Sequence, residues 1–170
     1  MEILEALRSR VVAVNDSLES GGIIRDVLEP REGDIMELQQ IQLLEGKRPD
    51  GDDIRPYYSE DIQPSGYFKS KESAARYAAW KGTLNYPYSV ERNPDAPNLY
   101  INGRFHSELG VVFDTEDLAI IGVTPYARNI MAGYGLDSFG LSPQKWQVVF
   151  QERGAYYDLM DKIKTMLYVS

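Results

Sequence analysis

Apolar positions in the first nineteen residues return at three- and four-residue steps: Ile3, Leu4, Leu7, Val11, Val14 and Leu18. That period lays them along one face of a helix over 2–19, and Gly21-Gly22 stops it. A short helix is predicted from Gly22 to Leu28, ahead of Pro30. Another runs from Arg31 to Glu45, with Ile35, Leu38, Ile41 and Leu44 on one face and Gly46 as its breaker. The periodicity then vanishes. Residues 47–69 hold three prolines, two glycines and few aliphatics, and they read as one long loop. Ser70 caps a helix over SKESAARYAAWKGTL. NYPYSVERNPDAP is loop again, broken by Pro87, Pro94 and Pro97.

The second half changes character. Leu99 to Phe105 reads as a turn or helix entry around Asn102-Gly103. Leu109 to Phe113 and Leu118 to Val123 are short β-branched runs joined by Asp114-Thr115-Glu116-Asp117, the pattern of a hairpin. Thr124-Pro125 and Ser142-Pro143 each have the form of a helix start. Tyr156, Leu159, Met160, Ile163 and Leu167 mark a last amphipathic helix over 154–168. The predicted fold class is α+β: terminal helices around a small antiparallel sheet, with long ordered loops. The expected organisation is one domain over 1–170, made of a helical arm (1–30), an α+β body (31–153) and a C-terminal helix (154–170).

Composition narrows the chemistry. The chain has no cysteine among its 170 residues, which excludes disulfides, thiolate metal sites and cysteine nucleophiles. One histidine, His106, excludes a multi-histidine cluster within one chain. The beginning MEILEALRSRVV lacks a basic segment followed by an apolar run, and no stretch approaches 18 apolar residues. A soluble protein made in a cytosol is therefore expected. The net charge of −8 argues against gripping duplex DNA as the main task, because phosphate binders are basic. The acid is concentrated: residues 31–66 carry nine acidic and four basic side chains.

Candidate chemistry is sparse. Asp50, Asp52 and Asp53, with Glu60 and Asp61 following, hold carboxylates that could suit a hard cation. An EF-hand counted from Asp50 fails at its sixth and twelfth places, which hold Arg55 and Asp61. His106, Ser107 and Asp114 supply the residue types of a hydrolase triad, but adjacent His and Ser on one element point apart. There is no G-x-S-x-G elbow or phosphate-binding loop. No convergent base, acid and orienter emerges, so no catalytic, cofactor or metal residue is assigned.

The order of the signals is more specific than any one of them. A helix ending in LQQIQLLEG is followed by PDGDDIRPYY, then NLYINGRF, a hairpin, and DSFG. This resembles the small neck, or tail-completion, proteins of tailed bacteriophages, the virion-morphogenesis and head–tail joining group. Its members pass from Q-L-x-x-G through D-G-x-x-I-x-P-x-Y to L-x-x-T-G-x-F/L and a later F-G element. The matching positions are Gln42, Leu43, Gly46, Asp50, Gly51, Ile54, Pro56, Tyr58, Leu99, Gly103, Phe105, Phe139 and Gly140, with Asn102 where the pattern more often has Thr. The resemblance implies a virion component, assembled in the host bacterial cytoplasm, that forms a ring joining portal to tail around the DNA passage. Its partners would be copies of itself and the portal, adaptor and tail proteins. DNA would pass nearby without sequence-specific binding, and no membrane would be involved. The competing readings are a small metal-dependent hydrolase or nuclease-like accessory using Asp50, Asp52, Asp53 and His106, and a monomeric phage-encoded binding protein.

On the structural reading, the assembly interface is expected at Tyr57, Tyr58, Tyr67, Phe68, Phe105 and Phe139, and on the last helix at Tyr156, Leu159, Ile163 and Leu167. The Lys47–Phe68 loop, too poor in aliphatics to bury itself, is expected to order against a partner. The last helix, terminal and set off by Gly154, is expected to reach outward to a neighbour.

Overall fold

The computed structural model describes residues 2–114 and 118–168. The hairpin turn read at Asp114–Asp117 therefore falls, from residue 115 on, outside the described residues, as do residues 169–170 of the C-terminal segment expected over 154–170. Helices α1 (Glu2–Glu19), α2 (Gly22–Leu28) and α3 (Glu32–Leu44) come first, with a 3-10 turn at Glu29–Arg31 between the last two. Then follow α4 (Lys71–Lys81), α5 (Arg104–Ser107), strands β1 (Leu109–Phe113) and β2 (Leu118–Gly122), and α6 (Pro125–Tyr134). The chain ends with α7 (Pro143–Gln147), a π-type turn at Val148–Glu152, and α8 (Ala155–Tyr168). The two strands form one hairpin sheet, so the class is α+β. Among the described residues no helix is long and apolar enough to cross a membrane.

The chain divides into two compact units, each assembled from separated segments. One takes residues 1–35, 111–119 and 144–170; the other takes 36–110 and 120–143. In the first, the N-terminal arm and the C-terminal helix of the sequence reading pack together. α8 lies against both α1 and α2, and its core includes Val14, Ile23, Val27, Leu28, Ile35, Val149 and Ala155. Arg31 stitches this unit: it donates to the Val27 carbonyl at 2.6 Å and the Arg153 carbonyl at 3.2 Å, and it pairs with Asp158.

The second unit is organised by the end of α3. Leu38, Leu43 and Leu44 are buried, each contributing about 1.5–3 kcal/mol of transfer free energy. Beside them Gln39 and Gln42, also buried, clamp a distant strand of backbone. Gly140 N–H donates to Gln39 Oε1 at 2.9 Å, Gln42 Nε2 donates to the Gly140 carbonyl at 2.7 Å, and Ser142 N–H donates to Gln42 Oε1 at 2.8 Å. Gly46 ends the helix at φ 72°, where a side chain would meet the Ala96 Cβ at 3.1 Å and the Pro97 carbonyl at 3.2 Å. Both the left-handed turn and the close approach require glycine here. The predicted helix starts hold: Ser70 and Ser73 bond reciprocally at the head of α4, and Thr124 Oγ1 accepts from Ala127 N–H at 3.2 Å ahead of Pro125.

Candidate functional sites in the two units

The long loop does bury itself. Arg48 N–H donates to the Asp52 carbonyl at 2.8 Å, closing the Asp50-Gly51 turn, and Ile54 N–H donates to the Gly46 carbonyl at 2.8 Å. Tyr58 N–H donates to the Asp95 carbonyl at 3.0 Å, and Phe68 N–H donates to the Asp61 carbonyl at 2.8 Å. Ile54 is fully buried. Tyr58 and Phe68 form a cluster with Ala74, against which Ile62, Tyr77 and Ala78 pack. The Tyr58 ring meets Phe68 at 6.0 Å and Tyr77 at 5.1 Å, both edge-on. The expectation of a loop that orders only on a partner is thus corrected: aromatic rings replace the missing aliphatics as its core.

This also corrects four of the six interface positions expected in this unit. Tyr58, Phe68, Phe105 and Phe139 are all buried, with Phe105 and Phe139 in contact at 6.0 Å between ring centroids. Their surface is used inside the chain and is not available to a neighbour. Tyr57 is half-buried; its hydroxyl donates to Asp53 Oδ2 at 2.8 Å, and the Arg55 guanidinium lies 3.6 Å from its ring centre. Tyr67 alone of this group is widely exposed.

On α8 the outcome is similar. Leu159, Ile163 and Leu167 are half-buried. Arg10 of α1 donates to the Leu167 carbonyl at 3.0 Å, and Lys162 faces Asp26 of α2 at 3.5 Å. The stripe that was expected to reach outward packs on the unit's own helices, because α1 and α2 supply the surface. Tyr156 remains exposed, as do Tyr157 and Tyr168.

Among the described residues an uncovered apolar face lies on α1, which the sequence reading did not single out for assembly. Its packing side is Arg10, Val14 and Ser17, the positions that are half-buried or buried. At about 100° per residue, Leu7, Val11 and Leu18 are turned roughly 70° away from that side. They stay exposed, and Ile3 and Leu4 are exposed at 84% and 72%. α1 and α8 run antiparallel, with residue 10 opposite residue 167 and Ser17 in the same cleft as Lys162 and Met166. The first two turns of α1 therefore extend about 10 Å past the point where Arg10 meets α8.

The acidic loop is a knot of a different kind. Asp53 forms an ion pair with Lys47 Nζ at 2.7 Å and accepts from Asn93 Nδ2 at 2.9 Å and from the Tyr57 hydroxyl. Burial alone would raise its carboxyl, but the bonds from Lys47, Asn93 and Tyr57 outweigh burial and hold it at about 2. Asp50 and Asp52 are exposed, and Arg48 faces Asp50 at 3.5 Å. Among the described residues no group of three His, Asp or Glu side chains is placed to hold a metal ion. His106 is not with these carboxylates. It is buried on α5, its Nε2 donating to the Asn98 carbonyl at 3.1 Å, and burial drops its pKa to about 4. Among the described residues its Nδ1 and the neighbouring Asn98 Nδ2 have no hydrogen-bond partner.

The most unusual group in this unit is Lys81, the last residue of α4, at 1% exposure. Its ammonium donates to the Tyr100 carbonyl, while Tyr86 Oη donates to the Lys81 carbonyl. Among the described residues no carboxylate pairs with it. Desolvation, with the Arg92 charge adding to it, pushes its pKa down to about 7. Lys81 lines a cavity of about 200 Å³ whose walls include Tyr58, Tyr77, Phe105, Ile130 and Tyr134. Ile101, Asn102 and Tyr126, all exposed, form its rim. Leu99 in the wall has φ 54°, a left-handed conformation that a non-glycine residue adopts only at a cost of about 1–2 kcal/mol.

No family model, no curated protein and no solved structure matches this chain.

Proposed function

We propose that this chain is a non-enzymatic virion subunit of a tailed bacteriophage, a head–tail connector of the neck or tail-completion type that joins portal and tail as a ring around the DNA channel. The observation that carries the reading is the apolar stripe of α1. Ile3, Leu4, Leu7 and Val11 form a helical face that the described residues leave exposed. An uncovered apolar face of this length marks a protein–protein contact, and helix-on-surface docking is the ordinary way to cover it. Copies meeting head to tail through such a face close into a ring when the rotation between them allows.

Two further observations support the reading. The residues that carry the phage resemblance meet in space: the Gln42 clamp on Gly140, the Gly46 cap against Ala96, and the Phe105–Phe139 contact belong to one framework. The net charge of −8 suits a passage through which DNA slides without being held. In this role the protein is located in the virion, after assembly in the host cytoplasm.

The test is sedimentation velocity on the full chain and on a Leu4→Glu, Leu7→Glu double variant. Both positions are exposed, so the variant is expected to keep its melting temperature. The wild type should sediment as an oligomer and the variant as the 19.3 kDa monomer. An oligomer that ignores both charges would remove α1 from the interface and with it the reading.

A further inference from the structure

A buried cation without an anion is an incomplete arrangement. Lys81 is 1% exposed, its one recorded side-chain partner is the Tyr100 carbonyl, and an ammonium has three protons to donate. Its charge is felt with those of Arg92, from the 85–98 loop, and His106 of α5, and it shares the lining of one cavity with Tyr77 of α4, Tyr58 from the long loop, and Tyr126 and Tyr134 of α6. None is a carboxylate. A buried charge left unpaired is costly, and proteins ordinarily supply a counter-ion or place the lysine at the surface. Here its ammonium meets the Tyr100 carbonyl, Tyr86 meets its backbone carbonyl, and the residue lines a cavity of about 200 Å³ instead.

The walls define what else a ligand must carry. Rings of Tyr58, Tyr77, Phe105, Tyr126 and Tyr134 with Ile130 line the slot, and Lys81 is the one charged residue in that lining. Leu99, held at φ 54°, keeps its place in that wall against its own backbone preference. Strain of this sort persists where the surroundings over-determine a conformation, and such positions cluster at ligand sites.

We propose that this cavity is a binding site for a small monocarboxylate with an aromatic or branched aliphatic body, its carboxylate paired with the Lys81 ammonium and its body between the tyrosine rings. The ligand is the missing counter-ion, and its apolar part replaces water against the rings. The site is independent of the α1 face and of the assembly role.

Protonation follows from this pairing. Lys81 titrates near 7 in the free protein, and an anion beside it favours the charged form. Binding should therefore take up a proton, and affinity should fall toward tenfold per pH unit above 7.

Isothermal titration calorimetry with benzoate and phenylacetate, against the neutral isostere benzamide, tests the proposal on the full chain. Either acid should bind saturably at pH 6.5 and at least tenfold more tightly than benzamide, with the predicted weakening at pH 8 and 9. Lys81→Met should cost the acids at least tenfold while leaving benzamide unchanged. Because that variant alters a buried position, Ile101→Asp gives a second reading at an exposed rim residue. It should repel the acids and spare benzamide without changing the melting temperature. Absence of saturable binding by both acids up to about 10 mM, ten times the 1 mM dissociation constant of a weak complex, would overturn the proposal. So would equal binding of benzamide, or acid binding that survives both substitutions. If only a peptide ending in an aromatic residue and a free carboxylate bound, the small-acid assignment would fall in favour of a partner chain end.

Discussion

Replacing Lys81 by methionine is expected to stabilise the protein, and by an amount that depends on pH in a defined way. In the folded chain the amine titrates near 7, against 10.5 for an ordinary lysine, because burial and Arg92 disfavour its charge. At about 1.4 kcal/mol per unit, this shift makes the charged amine on the order of 4–5 kcal/mol less favourable folded than unfolded. The unfolded chain binds the extra proton between pH 7 and 10.5. Wild-type stability therefore rises with pH through that window, and the full penalty applies below pH 7. Methionine is of similar length and removes the charge, but it leaves the Tyr100 carbonyl without its donor, a loss of about 1–2 kcal/mol. The balance is a gain of roughly 3 kcal/mol at pH 6, which is about 6–12 °C in melting temperature for a chain of this size. The gain shrinks with pH, and the two proteins should converge near pH 9.5. Tyr58, Tyr77 and Tyr134, whose buried hydroxyls titrate above the usual tyrosine range, are present in both proteins and cancel in the comparison. Urea denaturation at pH 6, 7.5 and 9.5 measures the difference. Parallel pH profiles, or a variant less stable than wild type at pH 6, would refute the reasoning.

Three other outcomes are expected. His106 stays neutral in the fold to about pH 4, so wild-type stability should fall by up to about 3 kcal/mol as pH drops from 6.5 through 4; His106→Gln should lose that slope in acid urea melts. Asp53→Asn should cost about 2 kcal/mol at pH 7, and the difference from wild type should vanish as pH falls from 3.8 through 2, where the aspartate itself is protonated. Gly66→Ala should lower the melting temperature by several degrees, because the new Cβ would stand 2.1 Å from the Asp61 carbonyl carbon, and circular dichroism melts will read it.

How far the sequence could be read depends on whether a signal was local. The helices with a clear period or cap, α1, α3, α4 and α6, were legible because propensity, capping and apolar spacing agree there. Gly46 and Asp50-Gly51 were legible as turns for the same reason. Aliphatic content understates the burial of the 47–68 loop, because Tyr58 and Phe68 bury themselves against Tyr77 of α4. The stripe on α8 was correctly drawn, but its partner was not: that α1 and α2 cover it is a fact of tertiary structure. Conversely, the α1 stripe had the form of a core-facing surface, but of its members only Val14 is buried: Leu7, Val11 and Leu18 are turned from the packing side, and Ile3 and Leu4 lie beyond the point where Arg10 meets α8. Lys81 carried the least warning. A lysine in the last turn of a helix ordinarily faces water and favours the helix dipole. What buries this one is the chain from Asn98 to His106, reached through a proline-broken loop whose path no local pattern gives.

The central claim is that copies of this chain assemble through α1 into a ring that DNA can pass. Electron microscopy of the purified full chain, class-averaged without imposed symmetry, tests it most directly. The account predicts closed rings of one cyclic symmetry with an open centre wide enough for duplex DNA, lost in the Leu4→Glu, Leu7→Glu variant. Isolated monomers at high protein concentration, two-fold dimers without an opening, or rings that persist in the variant would contradict it.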